Sequence, residues 1–142
     1  EGRIAIAALA TGLAQGCVDE SVRYAQTREA FGRPIGANQA IAFKLADMEM
    51  RAHTSRLAWY DAAARMRAGA PYKKQAAIAK LHSSESAVTN AREATQIHGG
   101  YGFMNEYPVT RMWRDSKILE IGEGTSEVQR LVISRQLGLP VQ

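Results

Sequence analysis

The 142-residue chain is long enough to bury one sizeable core, and a content of 46% hydrophobic and 23% charged residues is ordinary for a globular domain. Its formal charge of +4 comes from scattered basic residues without a Lys/Arg run, which argues against binding to nucleic acid. No segment holds eighteen uninterrupted apolar residues, so no membrane span is expected, and the single Cys17 excludes an internal disulfide.

Apolar and small residues recur near a period of 3.6 along most of the chain, which predicts helices and no strand. Glycine and proline separate the helical segments. Residues 28–38 and 118–124 are therefore predicted as loops, and the glycines Gly99 and Gly100 as the end of a helix. Four helices are predicted at about residues 3–27, 39–68, 72–98 and 109–117. A last helix is predicted to follow the second loop and to end at about residue 137.

Three long helices and a shorter fourth, joined by short connections, predict an all-α fold. The natural packing is an antiparallel, up-down four-helix bundle with one short extra helix. In the first helix, Gly12 and Gly16 lower helix propensity and indicate that another helix packs closely there. Leu57 and Tyr60 are predicted on the apolar side of the second helix, and Ile78 of the third helix is predicted in the core.

One carboxylate, that of Glu123, stands between Gly122 and Gly124. Neighbours without a Cβ atom let a ligand approach the backbone closely, and a buried carboxylate at such a place would face a substrate rather than water. Ser126 and Gln129 match a capping box, which predicts Ser126 as the N-cap of the last helix. The local pattern also fits an ordinary loop followed by a helix cap.

Three segments in one order carry a family resemblance. They are RYAQTREAFGRPIGANQA at residues 23–40, QIHGGYGF at residues 96–103 and MWRDSKILEIGEGTSEVQRLVISRQL at residues 112–137. Together they resemble the C-terminal helical domain of the flavin-dependent acyl-CoA dehydrogenases. The resemblance covers residues 1–142 and implies a longer protein, whose N-terminal helical and middle β-domains are absent from this chain.

The resemblance implies FAD-dependent α,β-dehydrogenation of an acyl-CoA thioester to a trans-2-enoyl-CoA, with Glu123 as the α-proton base and hydride transfer to the flavin. Some relatives place the base on the helix that opens this domain, which leaves Glu1 as an alternative. The resemblance assigns FAD contacts to Arg28, Phe31, Gln39, Gln96, Gly99, Gly100, Thr125 and Glu127, and substrate contacts to Gly124 and Arg3.

The resemblance also implies partners: the acyl-CoA substrate, an electron-transferring flavoprotein, and further copies of the chain in a dimer or tetramer with FAD at the contact. It implies a cytoplasmic protein, or one of the mitochondrial matrix in a eukaryote, and an isolated chain that is inactive. No spacing of His, Cys, Asp or Glu suggests a metal site. Two other functions fit: a non-catalytic helical module for oligomerisation or cofactor binding, and a related acyl-CoA oxidase.

The sequence allows two roles for the ring of Phe31. Its ring could cover a flat heterocycle such as the flavin, or it could plug the end of the bundle. At the position of Gly122, many straight-chain members of the family carry a tyrosine. The acyl group is therefore left undetermined by the sequence.

Overall fold

The computed structural model describes residues 1–141, which fold into a helical bundle with one very small hairpin. In chain order the elements are α1 (Gly2–Thr27), β1 (Glu29–Ala30), β2 (Arg33–Pro34), a 3₁₀ turn at Ile35–Ala37, α2 (Gln39–Arg67), α3 (Lys73–His98), a 3₁₀ turn at Gly99–Phe103, α4 (Pro108–Ser116), α5 (Ile118–Ile121) and α6 (Ser126–Gln136). The predicted all-α bundle is confirmed. The predicted bounds of the first four helices, and the predicted end of the last helix, agree with the structure to within one residue.

Helix α3 lies at the centre of the bundle and contacts α1, α2, α4, α5 and α6. Small side chains allow this arrangement. Ala10 and Ala14 on α1 share a core cluster with Ala87, Ala91 and Ala94 on α3, and all five are fully buried. Because the distance between helix axes depends on the side chains at the contact, alanines on both faces bring the two backbones close together.

One buried amide joins the three long helices. Asn90 on α3 is fully buried, and its Nδ2 donates to the carbonyl oxygen of Met48 on α2 at 2.9 Å and to that of Ala14 on α1 at 3.3 Å. A hydrogen bond of this kind contributes on the order of 1 kcal/mol net. The pair fixes how α1 and α2 are placed along α3.

The buried faces of α2 and α3 differ from the prediction. Leu57, Tyr60 and Ile78 are exposed, so their predicted place in the core is wrong. Ser55 and Ser83 are fully buried instead. Since the helices pack closely, small polar side chains fit between them, and the larger apolar side chains turn outward.

The two glycines of α1 also behave differently from each other. A Cβ atom on Gly16 would lie 3.2 Å from Cε of Met112 on α4, which agrees with the predicted close helix contact. A Cβ atom on Gly12 would meet nothing within 4 Å in this chain. The prediction of a close packing partner is therefore wrong for Gly12 within residues 1–141.

Residues 28–38 contain the hairpin, so the prediction of no strand is wrong. Strands β1 and β2 pair antiparallel, and the two residues between them, Phe31 with φ 54° and Gly32 with φ 76°, both have left-handed backbone. This is the pattern of a type I′ hairpin turn. Strands of two residues are too short to show an alternating apolar pattern, which is why the sequence did not indicate them.

None of the helices within residues 1–141 combines the length and the hydropathy that a bilayer crossing requires. Over the same residues, no three side chains of His, Cys, Asp or Glu lie together as a metal ion would need.

Cys17 provides a test of the core. It is fully buried on α1, its Sγ lies 3.7 Å from Sδ of Met112, and burial raises the pKa of the thiol to about 12. Because only the thiolate attacks a disulfide reagent, we expect no reaction of Cys17 with dithiobisnitrobenzoate at pH 8 in the native protein. Peptide mapping should show full modification after unfolding in guanidinium chloride. Rapid modification of the native protein at Cys17 would contradict this packing.

Candidate active site

The loop between α5 and α6 holds the candidate base in an unusual backbone conformation. Glu123 has φ 58° and Gly124 has φ 95°, so two consecutive residues are left-handed. For a residue with a Cβ atom, the left-handed conformation costs on the order of 1–2 kcal/mol of conformational free energy, which surrounding contacts must offset. The residues just before, predicted as part of a loop, instead form the single helical turn α5, which ends at Ile121 and has Gly122 as its C-cap.

Thr125, not Ser126, is the N-cap of α6, so the predicted capping box is wrong. Thr125 Oγ1 accepts a hydrogen bond from the backbone N–H of Val128 at 3.4 Å, whereas the buried Ser126 Oγ has no partner within the described chain. The pKa of the exposed Glu127 is lowered by a hydrogen bond from its own backbone N–H and by one from the Thr125 hydroxyl. Thr125 and Glu127 therefore close the N-terminus of α6 together.

Two buried side chains donate hydrogen bonds to the carbonyl groups of this loop. Lys80 Nζ, on α3, lies 3.0 Å from the Glu120 oxygen and 2.7 Å from the Gly124 oxygen. Gln129 Nε2, on α6, lies 3.2 Å from the Glu123 oxygen and 2.9 Å from the Gly124 oxygen. Both donors are fully buried. The loop conformation is thus set from α3 and α6.

Sequence reasoning missed both donors. Lys80 had a signal: it is a lone lysine on a face of α3 that is otherwise small, between Ala76 and Ala87. Burial lowers the pKa of Lys80, and the nearby Glu120 carboxylate opposes this shift. Gln129 has the spacing of a capping-box partner, but its side-chain amide reaches the loop carbonyls and not the N-cap backbone.

The carboxyl group of Glu123 rests against the start of α1. A Cβ atom on Gly2 would lie only 2.2 Å from Oε2 of Glu123, so the missing side chain of Gly2 leaves room for the carboxylate. Within this chain the Glu123 side chain is exposed, so the single chain alone does not bury the carboxylate. Glu1, the alternative base, is also exposed and forms the N-cap of α1.

Arg3 lines a cavity at the same end of the bundle. The cavity has a volume of about 510 Å³, and its other walls are formed by Glu1, Lys73, Ala76 and the turn 69–72 between α2 and α3. Nε of Arg3 is buried and has no hydrogen-bond partner within the described chain. Two cations, Arg3 and Lys73, outnumber the single carboxylate of Glu1 in this lining, and the free Nε donor belongs to Arg3, so the cavity suits an anionic ligand.

Arg28 and the two glycines at the end of α3 line a second cavity, of about 590 Å³. The guanidinium carbon of Arg28 lies 5.7 Å from the ring centroid of Tyr101, which borders the same cavity. A Cβ atom on Gly99 or Gly100 would meet open space, so a ligand can reach the main chain there. Two of the three sequence motifs thus converge on one cavity.

His98, at the last residue of α3, forms part of the wall of this second cavity. It is buried and stacks on Tyr24 with the ring centroids 4.2 Å apart, and its Nδ1 bonds to the carbonyl oxygen of Ala94 at 2.9 Å. Burial lowers the pKa of His98. The ring therefore supports the end of the helix as a neutral, stacked group.

Phe31, Gln39 and Gln96 do not line the second cavity. Gln96 is exposed and borders a separate cavity of about 350 Å³ together with Gly99, while Gln39 is exposed at the first position of α2. Phe31 is 99% exposed at the tip of the hairpin. The interpretation of Phe31 as a plug of the bundle is therefore wrong, and nothing in residues 1–141 covers its ring.

The two candidate regions lie at opposite ends of α1. Glu123 contacts Gly2 at the start of the helix, whereas Arg28 follows its last residue, Thr27. The helix has 26 residues, and at 1.5 Å per residue it is about 39 Å long. A single cofactor of ordinary size does not span this distance, so it cannot touch both regions of one chain.

Comparison with known proteins identifies the class. The family model described as acyl-CoA dehydrogenase, C-terminal domain, matches residues 1–138. Because the match covers nearly the whole chain, the chain belongs to this family, and the resemblance carried by the three sequence motifs is confirmed.

Individual relatives give the same result. The probable acyl-CoA dehydrogenase YngJ of Bacillus subtilis is 55% identical over 96% of this chain and 36% of its own length. Butyryl-CoA dehydrogenase from Megasphaera elsdenii has a TM-score of 0.94 at 45% identity, over 95% of this chain and 35% of that protein. The structure of the FAD complex of PigA has a TM-score of 0.91 at 30% identity, over 95% of this chain and 35% of that chain. The chain therefore spans about a third of the length of these proteins.

The loop geometry predicts that the two glycines around Glu123 differ in their tolerance of a side chain. Gly124→Ala would place a Cβ atom 2.8 Å from Nε2 of Gln129 at a φ of 95°, so we expect a loss of about 1–3 kcal/mol in the free energy of unfolding. The matched control is Gly122→Ala, where φ is −59° and the nearest atom, a carbonyl oxygen, lies at 3.4 Å. Chemical denaturation checks the difference, and equal stability of the two variants would contradict the loop geometry.

Proposed function

We propose that this chain is the C-terminal part of a longer FAD-dependent acyl-CoA dehydrogenase, which converts an acyl-CoA thioester into a trans-2-enoyl-CoA. The observation that carries the proposal is the carboxylate of Glu123, held in a left-handed loop between two glycines within a domain of this family. Relatives that are named acyl-CoA dehydrogenases support the reaction class.

In the proposed reaction, Glu123 takes the α proton. The α C–H bond breaks and its proton goes to a carboxylate oxygen, while the α,β double bond forms and the β hydrogen leaves as hydride. FAD, when bound, supplies the hydride acceptor that no side chain can provide. Since the carboxylate is exposed in the single chain, the bound thioester and the remainder of the protein would have to exclude water around it.

The substrate would lie at the end of the bundle where α1 begins. Arg3 and Lys73 line a cavity there, and their charges suit the phosphate groups of coenzyme A. The Gly124 carbonyl oxygen already accepts hydrogen bonds from Lys80 and Gln129. A main-chain contact from Gly124 to the thioester oxygen would therefore use its N–H group.

The cofactor would lie at the other end of the bundle. The guanidinium of Arg28 can bind phosphate oxygens of FAD with two parallel hydrogen bonds, and Gly99 and Gly100 let the nucleotide approach the main chain. The uncovered ring of Phe31 has the shape to pack on a flat heterocycle. Gln39 and Gln96 remain proposed contacts of the cofactor from this copy of the chain. Thr125 and Glu127 follow Glu123 closely and would contact the same cofactor from the copy that supplies the base.

A complete site then needs a second copy of the chain, because one flavin cannot reach both ends of α1. The outer face of α2 also has an unpaired apolar stripe: Phe43, Met50 and Leu57 are exposed and follow one another at intervals of seven residues. We propose association into a dimer or tetramer, with FAD held between Arg28 of one copy and Glu123 of another. The isolated chain would accordingly be inactive and would bind FAD poorly.

Electrons would pass from the reduced cofactor to an electron-transferring flavoprotein. An oxidase that delivers them to oxygen is the alternative, and assays with each acceptor distinguish the two. A non-catalytic helical module is the alternative from a different class of function. Reduction of the bound flavin by any acyl-CoA would exclude it.

Replacement of the proposed base tests the function directly. In the full-length protein, Glu123→Gln keeps the size and the polarity of the side chain but cannot take a proton, so we expect flavin reduction by acyl-CoA to slow by about 10²–10⁴-fold. Stopped-flow absorbance measures this rate. Glu106→Gln, at an exposed glutamate on the connector before α4, is the control and should reduce at the wild-type rate. Wild-type rates in both variants would remove Glu123 as the base.

The exposed ring at the hairpin tip gives a second test. Phe31→Asn removes the ring but suits the left-handed backbone, so the fold should keep its stability. If the ring packs on the flavin, burial of a phenyl group contributes about 1.5–3 kcal/mol, and we expect FAD to bind at least tenfold more weakly. Flavin titration checks this, with Glu29→Gln in the same hairpin as the control. Unchanged FAD affinity would leave Phe31 without the proposed role.

A further inference from the structure

Lys80 is the one Lys, Arg, Asp or Glu side chain within residues 1–141 that is completely buried. Burial of a charged side chain is costly unless its hydrogen-bonding groups find partners. The ammonium of Lys80 makes no ion pair in the described chain and bonds to two main-chain carbonyl groups instead. A well-packed apolar residue could fill the same space at lower cost, so the position requires an explanation other than packing.

The two carbonyl groups bracket the proposed base. They belong to Glu120 and Gly124, and Glu123 lies between them with its φ of 58°. One ammonium group therefore fixes both ends of the segment that carries the carboxylate. Gln129 adds a bond to the carbonyl of Glu123 itself, but from the following helix α6, which in turn packs on α3. Lys80 is the donor that connects the loop to the central helix α3.

While this connection holds, the backbone of Glu123 directs its carboxylate toward the start of α1. Its oxygens occupy the space over Gly2 at the start of α1, which packs directly on α3. If the connection to α3 is lost, Glu123 can leave the left-handed region, and the direction of its side chain changes with the backbone. The carboxylate would then no longer be held in one place relative to α1.

We propose that Lys80 is a positioning residue for the α-proton abstraction: its ammonium holds the Glu120–Gly124 segment so that the Glu123 carboxylate stays at the start of α1. This inference rests on the proposed role of Glu123 as the base. Lys80 does not contact the substrate in this arrangement. Its loss would release the Glu123 carboxylate and the Gly124 N–H together, so it should slow the proton transfer by a larger factor than it weakens the binding of acyl-CoA.

The test uses Lys80→Met in the full-length protein, since methionine fills the buried space without a donor. The probe is the best substrate of a straight-chain series from butyryl-CoA to dodecanoyl-CoA, with and without deuterium at the α carbon. We expect kcat to fall by about tenfold to a hundredfold, as for a base displaced by about 1 Å, with a smaller change in KM. The α-deuterium isotope effect on flavin reduction should rise, because cleavage of the α C–H bond becomes slower than the other steps.

The matched control is Asn90→Leu. Asn90 lies on the same helix, is equally buried, and also donates to two carbonyl groups, but these are on α1 and α2 and not in the loop. Asn90→Leu should lower the melting temperature and leave the isotope effect at the wild-type value. A Lys80→Met variant that behaves in the same way would overturn the positioning role, as would one with unchanged kcat and isotope effect.

Two further variants, Lys80→Gln and Glu123→Gln, test the positioning role and the base assignment separately. Lys80→Gln retains donors on a shorter side chain and should lie between wild type and Lys80→Met in both kcat and isotope effect. If neither Lys80 variant folds, Lys80 is required for the whole domain and the positioning role is overturned. Glu123→Gln, measured in parallel, separates the two proposals: wild-type flavin reduction in this variant removes the base assignment and the inference with it, whereas a loss there beside an unaffected Lys80→Met removes only the inference.

Discussion

The arrangement of the chain depends on the buried ammonium group of Lys80 and the two carbonyl groups that it joins. The Lys80 side chain extends from the central helix to the segment that ends between α5 and α6. Two consecutive residues of this segment are left-handed, a conformation that needs support from surrounding contacts. The same helix holds α1 and α2 through Asn90. Helices α1 and α2 and the loop of Glu123 are therefore all held by hydrogen bonds from α3. A shift of α3 would displace the long helices and this loop together.

The helices could be predicted from the sequence because glycine and proline separate long periodic segments, and the bounds of the first four agree with the structure to within one residue. The buried faces could not. In α2 and α3 most buried positions are alanines and serines, so the larger apolar residues Leu57, Tyr60 and Ile78 were the more obvious candidates for the core. Closely packed helices leave room only for small side chains between them. A hydropathy pattern does not show the size of a side chain.

The candidate site divides in a similar way. Arg28 and the glycines after α3 could be predicted to lie together, since these motifs sit at helix ends that meet at one end of the bundle. The surroundings of Glu123 could not be predicted from its neighbours in sequence. Lys80 precedes Glu123 by 43 positions in the sequence. The exposure of the carboxylate depends on which other surfaces cover it. Local motifs identify such a group, but long-range contacts decide how it is held.

The length of α1 has a consequence for genetics. In the proposed assembly each copy provides the acid of one site and the arginine of a different site. Consider a cell that makes two defective forms, one altered at Glu123 and the other at Arg28. Where the two forms meet in the right order, one site receives both lesions and its counterpart receives neither. Two inactive alleles would then complement each other within a single mixed oligomer.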